Sequence, residues 1–372
     1  MLAKPINFIL VYVVTVFNLL FIFLPFASLL IPFLKINNNT LILQSNIFEK
    51  FIILSWLMLF VISAAMIFYL FIDFLFGFSV RSSLKDCLRY EKNKDYDFLT
   101  NIFNQVKDKF AQRSVKLYVK NSDEINAYAV SSLGSKAIII TRGLIDHYLK
   151  NSQDSKSFLN SIRSIIGHEM SHLINKDFLP TFLIIVNQKI TNFISKILHF
   201  IFHNIVKYIR FLSFEGGYLS MFILNIYRSL NFLITFFNRF VVYGIYNFLR
   251  RFVSRSIEYR CDNQSARAFG GSNMAVALSY LGDGGYFTLF STHPRTKSRI
   301  QRVTNIKIED GIIRPKFIDD VANFLSLIFL LAICLYFSKQ AKIDILVREI
   351  LKDHQLIYAK FSYIINLIKK IY

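Results

Sequence analysis

Cysteine is scarce. The chain has three, Cys87, Cys261 and Cys334, with no CxxC pair and no even number, which excludes a disulfide framework and points to a reducing compartment. Tryptophan occurs once, against forty phenylalanines and nineteen tyrosines, an aromatic bias that favours lipid-facing surface over a compact soluble core. Acidic residues are in deficit, twenty-four against forty-four Lys and Arg, so the formal net charge is +20. No nucleic-acid motif accompanies that charge, and the basic residues flank apolar runs, where they would face an anionic leaflet, so nucleic acid is not an expected partner and the lipid bilayer is. A small-residue cleavage site behind a short apolar stretch is also missing, which excludes a cleaved signal peptide as the reading of the amino-terminal run.

What is abundant is apolar sequence. Hydrophobic residues make up 54% of the chain and the mean hydropathy is +0.42, values outside the range of ordinary soluble proteins. Residues 6–34 carry no charge and residues 51–80 are interrupted only by Asp73; each is long enough to cross ~30 Å of hydrocarbon at about 1.5 Å per residue. Residues 1–80 therefore read as two transmembrane helices. The loop 35–50 holds only Lys35, Glu49 and Lys50, whereas Arg81, Lys85, Arg89, Lys92 and Lys94 follow the second run. The positive-inside trend puts residues from 81 onward in the cytoplasm.

Residues 81–177 change to mixed charge and amphipathic patterning, the first part of a soluble domain. Phe98, Ile102, Phe103, Val106 and Phe110 predict a helix, Val115, Leu117 and Val119 alternate as in a half-buried strand, and Lys136–Thr141 reads as a second strand. Asn151, Ser152 and Asp154 are N-cap candidates for a further helix, in which Phe158, Leu159, Ile162, Ile165, Ile166 and Leu173 recur at helical spacing as far as Pro180.

That helix contains His168-Glu169-Met170-Ser171-His172. Two His at i and i+4 lie one above the other, so both imidazoles can meet one tetrahedral metal while Glu169 reaches a water on it. Two incidental surface His are the competing reading of the pair. A catalytic zinc normally takes three protein ligands. Glu258, in the charged helical stretch 258–266, is the candidate for the third, with a solvated acidic residue as the alternative.

In these residues the chain resembles the membrane-bound zinc metallopeptidases of the HtpX-like family, related to the CAAX prenyl proteases. His168 to Asp177 matches their H-E-x-x-H-x-x-N-x-D pattern, and Glu258, Asp262 and Ala266 match their E-x-x-x-D-x-x-A block. Asn126-Ala127-Tyr128-Ala129 resembles their Asn-Ala-Phe-Ala strand, and Ser291-Thr292-His293-Pro294 with Arg299 resembles their late S-T-H-P block and arginine. The resemblance implies an α+β fold, a mainly helical integral membrane protein with a gluzincin-type metallopeptidase domain holding a small sheet. It implies one zinc per chain on His168, His172 and Glu258, with Glu169 as general base and Asn175 and Asp262 supporting the ligands. His293 and Arg299 are the candidate donors to the oxyanion, against a turn residue and a structural ion pair. Asn126 and Ala127 begin the strand to which a protein or peptide substrate would be added. The implied activity is endopeptidase quality control of membrane proteins at the cytoplasmic face of a plasma (bacterial inner) membrane.

Between His172 and Glu258 the chain departs from that family's pattern. Residues 178–250 are mostly apolar but carry Lys189, Lys196 and a stripe of Arg228, Arg239 and Arg250 at eleven-residue spacing. They read as a membrane-associated helical hairpin, spanning with its cationic stripe turned inward or lying at the interface. Residues 251–318 complete the peptidase domain. Residues 319–372 comprise an apolar segment, 321–337, and a basic amphipathic tail. Two other functions compete: a catalytically inactive scaffold of the same fold, and an intramembrane site-2-type protease suggested by Leu281-Gly282-Asp283-Gly284. The charge around the motif, with Lys156, Arg163, Lys176 and Asp177, argues against the second.

Overall fold

The computed structural model describes residues 3–27, 34–37, 40–43, 45–132, 134–212, 243–281 and 294–343, together with 345 and single residues or pairs between 221 and 240. The turn of the expected hairpin, Arg239, His293 and the tail from residue 346 lie outside the described residues.

The first apolar run forms α1 (Ala3–Ala27). Strands β1 (Leu34–Asn37) and β2 (Thr40–Leu43), an antiparallel pair, lead into α2 (Ser45–Phe76). The second run, read as 51–80, stops at Phe76 because Gly77 takes a left-handed φ of 61° and starts the short helix α3 (Phe78–Ser83). Asp73, the one charge in that run, serves this break: its carboxylate accepts from the Ser79 amide at 2.7 Å and from the Ser79 hydroxyl at 2.8 Å.

The soluble part is built on a four-stranded sheet of β3 (Cys87–Arg89), β4 (Lys116–Lys120), β5 (Ala127–Ser131) and β6 (Lys136–Thr141), in the order β3-β4-β6-β5. Only β4 and β6 run parallel. Ile138 and Ile140 of β6 and Leu117 and Val119 of β4 join one core with Leu99, Ile102, Phe103 and Val106 of α4 (Phe98–Lys109), Tyr148 of α5 (Arg142–Asn151), and Ile162, Ile166 and Met170 of α6 (Ser155–Ile174). Each such aliphatic side chain gains roughly 1.5–3 kcal/mol from burial, so this face fixes the rotation of α6 against the sheet.

Asp154 caps α6, accepting from the Ser157 amide at 2.6 Å. The helix does not run on to Pro180 as its periodicity suggests. It ends at Ile174, Lys176 adopts φ 54°, and α7 (Phe178–Leu212) starts afresh. Pro180 sits in the first turn of α7, where no intrahelical N–H bond is lost.

Helices α8 (Tyr243–Phe269), α9 (Gly271–Tyr280) and α10 (Thr296–Val303) close the domain, and α11 (Phe317–Gln340) follows. Beyond the domain, α1, α2, α7, the start of α8 and α11 share a second core of Phe8, Val11, Ile62, Met66, Leu183, Tyr246 and Leu330. Polar ties cross it: Asn187 Nδ2 donates to Thr15 Oγ1 at 2.8 Å, and the Tyr12 and Ser326 hydroxyls lie 3.0 Å apart. Two stretches, Ser55–Phe76 and Phe317–Gln340, are long and apolar enough to cross a bilayer by length and composition. The apolar segment read as 321–337 is thus part of a 24-residue helix.

Candidate metal centre

The last turns of α6 lie against α8, and Gly167 permits their approach: a Cβ there would meet Phe269 Cε2 and Ser265 Oγ at 2.8 Å. With the helices this close, His168, Glu169 and His172 of α6 face Glu258 and Asp262 of α8. The Nε2 atoms of His168 and His172 stand 3.3 Å apart. Glu258 places Oε2 at 3.5 Å from His168 Nε2 and Oε1 at 3.5 Å from His172 Nε2. The three donors thus converge in the arrangement a single cation needs.

Both rings are held from behind. His168 Nδ1 donates to Asp262 Oδ1 at 2.8 Å and His172 Nδ1 to Asp177 Oδ2 at 2.9 Å. Each bond selects the tautomer that leaves Nε2 free to ligate. Asp262 is in turn gripped by Arg299, whose Nε and Nη2 each donate to it at 2.7 Å and whose Nη2 lies 3.5 Å from Glu258 Oε2. Arg299 is buried in this ion pair, behind the ligands and away from the residues lining the cleft. Asn175 touches neither imidazole; its side chain donates at 2.8 Å to the Ser171 carbonyl and to Gln264 Oε1, tying the end of α6 to α8.

Sequence reasoning missed three residues. Asp177 appeared as the last letter of a pattern and as one of the charges around the motif, without a role at the site. Arg260, four residues before Gln264 on α8, pairs with Asp177 and Asp319. Cys261, weighed in the sequence only for disulfide pairing, is fully buried with Sγ 3.4 Å from His172 Nδ1. The i, i+3 and i+4 spacing from Glu258 to Cys261 and Asp262 was the available signal.

The electrostatics fit a cation. Burial acts to lower the His168 pKa, but hydrogen bonds to Asp262 and Glu258 outweigh it and raise the ring to about 10. His172 is likewise raised against its burial, by Cys261, Asp177 and Glu258. A positive charge between these rings is therefore favourable, and a metal ion answers that demand with neutral imidazoles as ligands. Glu169 is pushed above the usual carboxylate range by burial, opposed by the neighbouring His168 and His172.

The centre lies in a cleft of about 400 Å³. One wall is β5, with Asn126, Ala127, Tyr128 and Ala129; the other includes Arg250, Ser254 and Ile257 of α8. Asn7 of α1 and Phe178 and Thr181 of α7 bring the cleft to the end of the helical bundle. Strand β5 is the edge of its sheet among the described residues. The Thr141 amide donates to the Asn126 carbonyl at 3.0 Å, which makes the pair Asn126 and Thr141 a hydrogen-bonded one. In an antiparallel ladder the bonding direction alternates, so Ala127 and Ala129 turn their own N–H and C=O to the free edge. Glu169 interacts with the Ala129 backbone there.

Two His, each held by a carboxylate, and a Glu converging on them, with a second buried Glu beside them in an open cleft, define a metal-dependent hydrolase. The sequence model of Peptidase family M48 matches residues 98–307. The chain belongs to that family and is a metallopeptidase. No solved structure matches it.

Proposed function

We propose that the chain is a membrane-bound zinc endopeptidase that cleaves protein substrates beside the cytoplasmic membrane surface, in HtpX-like quality control of membrane proteins. The observation that carries the reading is the convergence of His168, His172 and Glu258 next to a strand edge with Glu169 between them. Two imidazoles and one carboxylate suit zinc, one ion per chain. Bound zinc would supply the Lewis acidity that activates water and polarises the scissile carbonyl.

The chain's own residues supply the rest. The outward N–H and C=O of Ala127 and the outward C=O of Ala129 would pair with an extended substrate and lay it across the centre with little reading of side chains, while the Ala129 N–H is taken by Glu169. Glu169 takes the proton of the attacking water at its carboxylate and delivers it to the departing amine. Arg299 is a positioning residue, since it acts through Asp262 and Glu258. Support for the membrane setting comes from the two span-length helices, the basic flanks of the apolar runs and the cleft's position at the bundle end.

The test is Glu169→Gln in purified protein. Cleavage of an unfolded membrane protein should fall by at least ~10²-fold, the scale of a lost general base, while one zinc per chain is retained. A wild-type chain that binds zinc but cleaves nothing would favour the inactive scaffold, and loss of zinc from the variant would overturn the assignment of Glu169.

A further inference from the structure

Lys4 is the one lysine that is fully buried among the described residues, and it lies at the very start of α1. Its Nζ donates to the Asn175 carbonyl, at the last turn of the metal helix α6, and stands 3.5 Å from Asp177 Oδ1. Asp177 spends its other oxygen, Oδ2, on His172 Nδ1 and on Arg260. Arg260 in turn holds Asp319 at the start of α11. Asn323 of α11 donates to the same Asn175 carbonyl at 3.3 Å. The corner between α6 and α7, which carries Asp177 immediately after the left-handed Lys176, is thus clamped by side chains from α1, α8 and α11.

We infer that Lys4 is a positioning residue for the metal centre: its ammonium holds Asp177 Oδ1 and the α6 carboxyl terminus so that Oδ2 stays on His172 Nδ1, making the first apolar helix a working part of the site as well as an anchor. The inference rests on the zinc reading above. Three features support it. A cation at the carboxyl end of α6 meets the negative end of that helix dipole. Arg260 contacts Oδ2, and Oδ1, which is buried without a hydrogen bond, faces the Lys4 ammonium at 3.5 Å as its charge partner. Burying an ammonium is costly unless it is paired and hydrogen-bonded, and a Met of similar length would fill the same space without that cost. A partner that orients a ligating His in this way typically changes metal affinity by 10- to 100-fold.

The experiment measures zinc affinity of the full chain in detergent, by competition with a chelator, for wild type, Lys4→Met, Lys4→Gln, Lys4→Arg, Asp177→Asn and the double variant Lys4→Met with Asp177→Asn. The absorption spectrum of the cobalt-substituted protein reports ligand geometry alongside. Lys4→Met should weaken zinc binding by about 10-fold or more and alter the cobalt spectrum. Lys4→Arg should restore most of the affinity. The double variant should be no weaker than Asp177→Asn alone, because both changes break one path. Lys4→Gln, which keeps length and polarity, carries the comparison if the Met variant does not fold. Wild-type zinc affinity in the Met and Gln variants, additive losses in the double variant, or losses that only track the melting temperature of the metal-free protein would overturn the inference. A wild-type chain with no zinc site would instead sink the zinc reading itself, so the two failures are distinguishable.

Discussion

Glu258 and Asp262 are one helical turn apart on the same face of α8, and their different neighbours separate their roles. Glu258 sits 3.5 Å from both Nε2 atoms, while Asp262 reaches only the far nitrogen of His168 and spends both oxygens on Arg299. Glu258→Ala should therefore abolish stoichiometric zinc binding, removing one of three donors. Asp262→Asn keeps the size and loses the charge, which leaves Arg299 facing a neutral amide and weakens the acceptor for His168 Nδ1. It should retain the site with affinity lowered by 10- to 100-fold. Metal content of the two purified variants after dialysis decides between them, and the reverse ordering would exchange ligand and support. The Asp262 carboxyl is penalised by burial yet held below the usual carboxylate range by Arg299 and His168, so it stays the charged partner of both.

At the scale of elements, the strand wall and the helix wall of the cleft were unequally legible in the sequence. The metal helix announced itself, because two His four residues apart share a face wherever a helix forms. Its end did not, since Pro180 is compatible with either a helix stop or a first turn, and the left-handed Lys176 leaves no mark in composition. The strand at 127–131 was legible from Asn126 to Ala129, but its place at the sheet edge follows from the crossover that seats β6 between β4 and β5, a long-range fact. That placement makes a prediction. Ala127 directs its N–H away from β6, so Ala127→Pro removes an edge donor without breaking a ladder bond and proline is tolerated there. The variant should melt near wild type and lose one substrate hydrogen bond, about 0.5–1.5 kcal/mol or roughly 2- to 10-fold in kcat/KM. Unchanged kcat/KM with an unfolded-protein substrate would take the substrate off this edge.

For the whole molecule, the apolar runs were plain in the sequence, while the way their ends gather at the centre was not, because the ties are single polar residues: Lys4 on α1, Asp177 before α7, Arg260 on α8 and Asp319 on α11. The gathering fixes a direction for each helix. The first residue of α11 follows Lys316, whose amide lies 3.3 Å from Asn175 Oδ1, whereas near its other end Phe337 and Tyr336 pack on Trp56, early in α2. At about 1.5 Å per residue this 24-residue helix runs ~36 Å away from the centre, enough for ~30 Å of hydrocarbon. Lys339 would then emerge on the face opposite the peptidase domain, against the positive-inside trend and so in need of a direct test. In a Cys87→Ser, Cys334→Ser background, with buried Cys261 retained, Lys339→Cys and Lys85→Cys each place one exposed thiol at an end of the bundle. A membrane-impermeant maleimide applied to intact cells should label Lys339→Cys and reach Lys85→Cys only after permeabilisation. Labelling of both from the same side would mean that α11 lies along the bilayer or within the domain, and the composition argument for its crossing would fall with it.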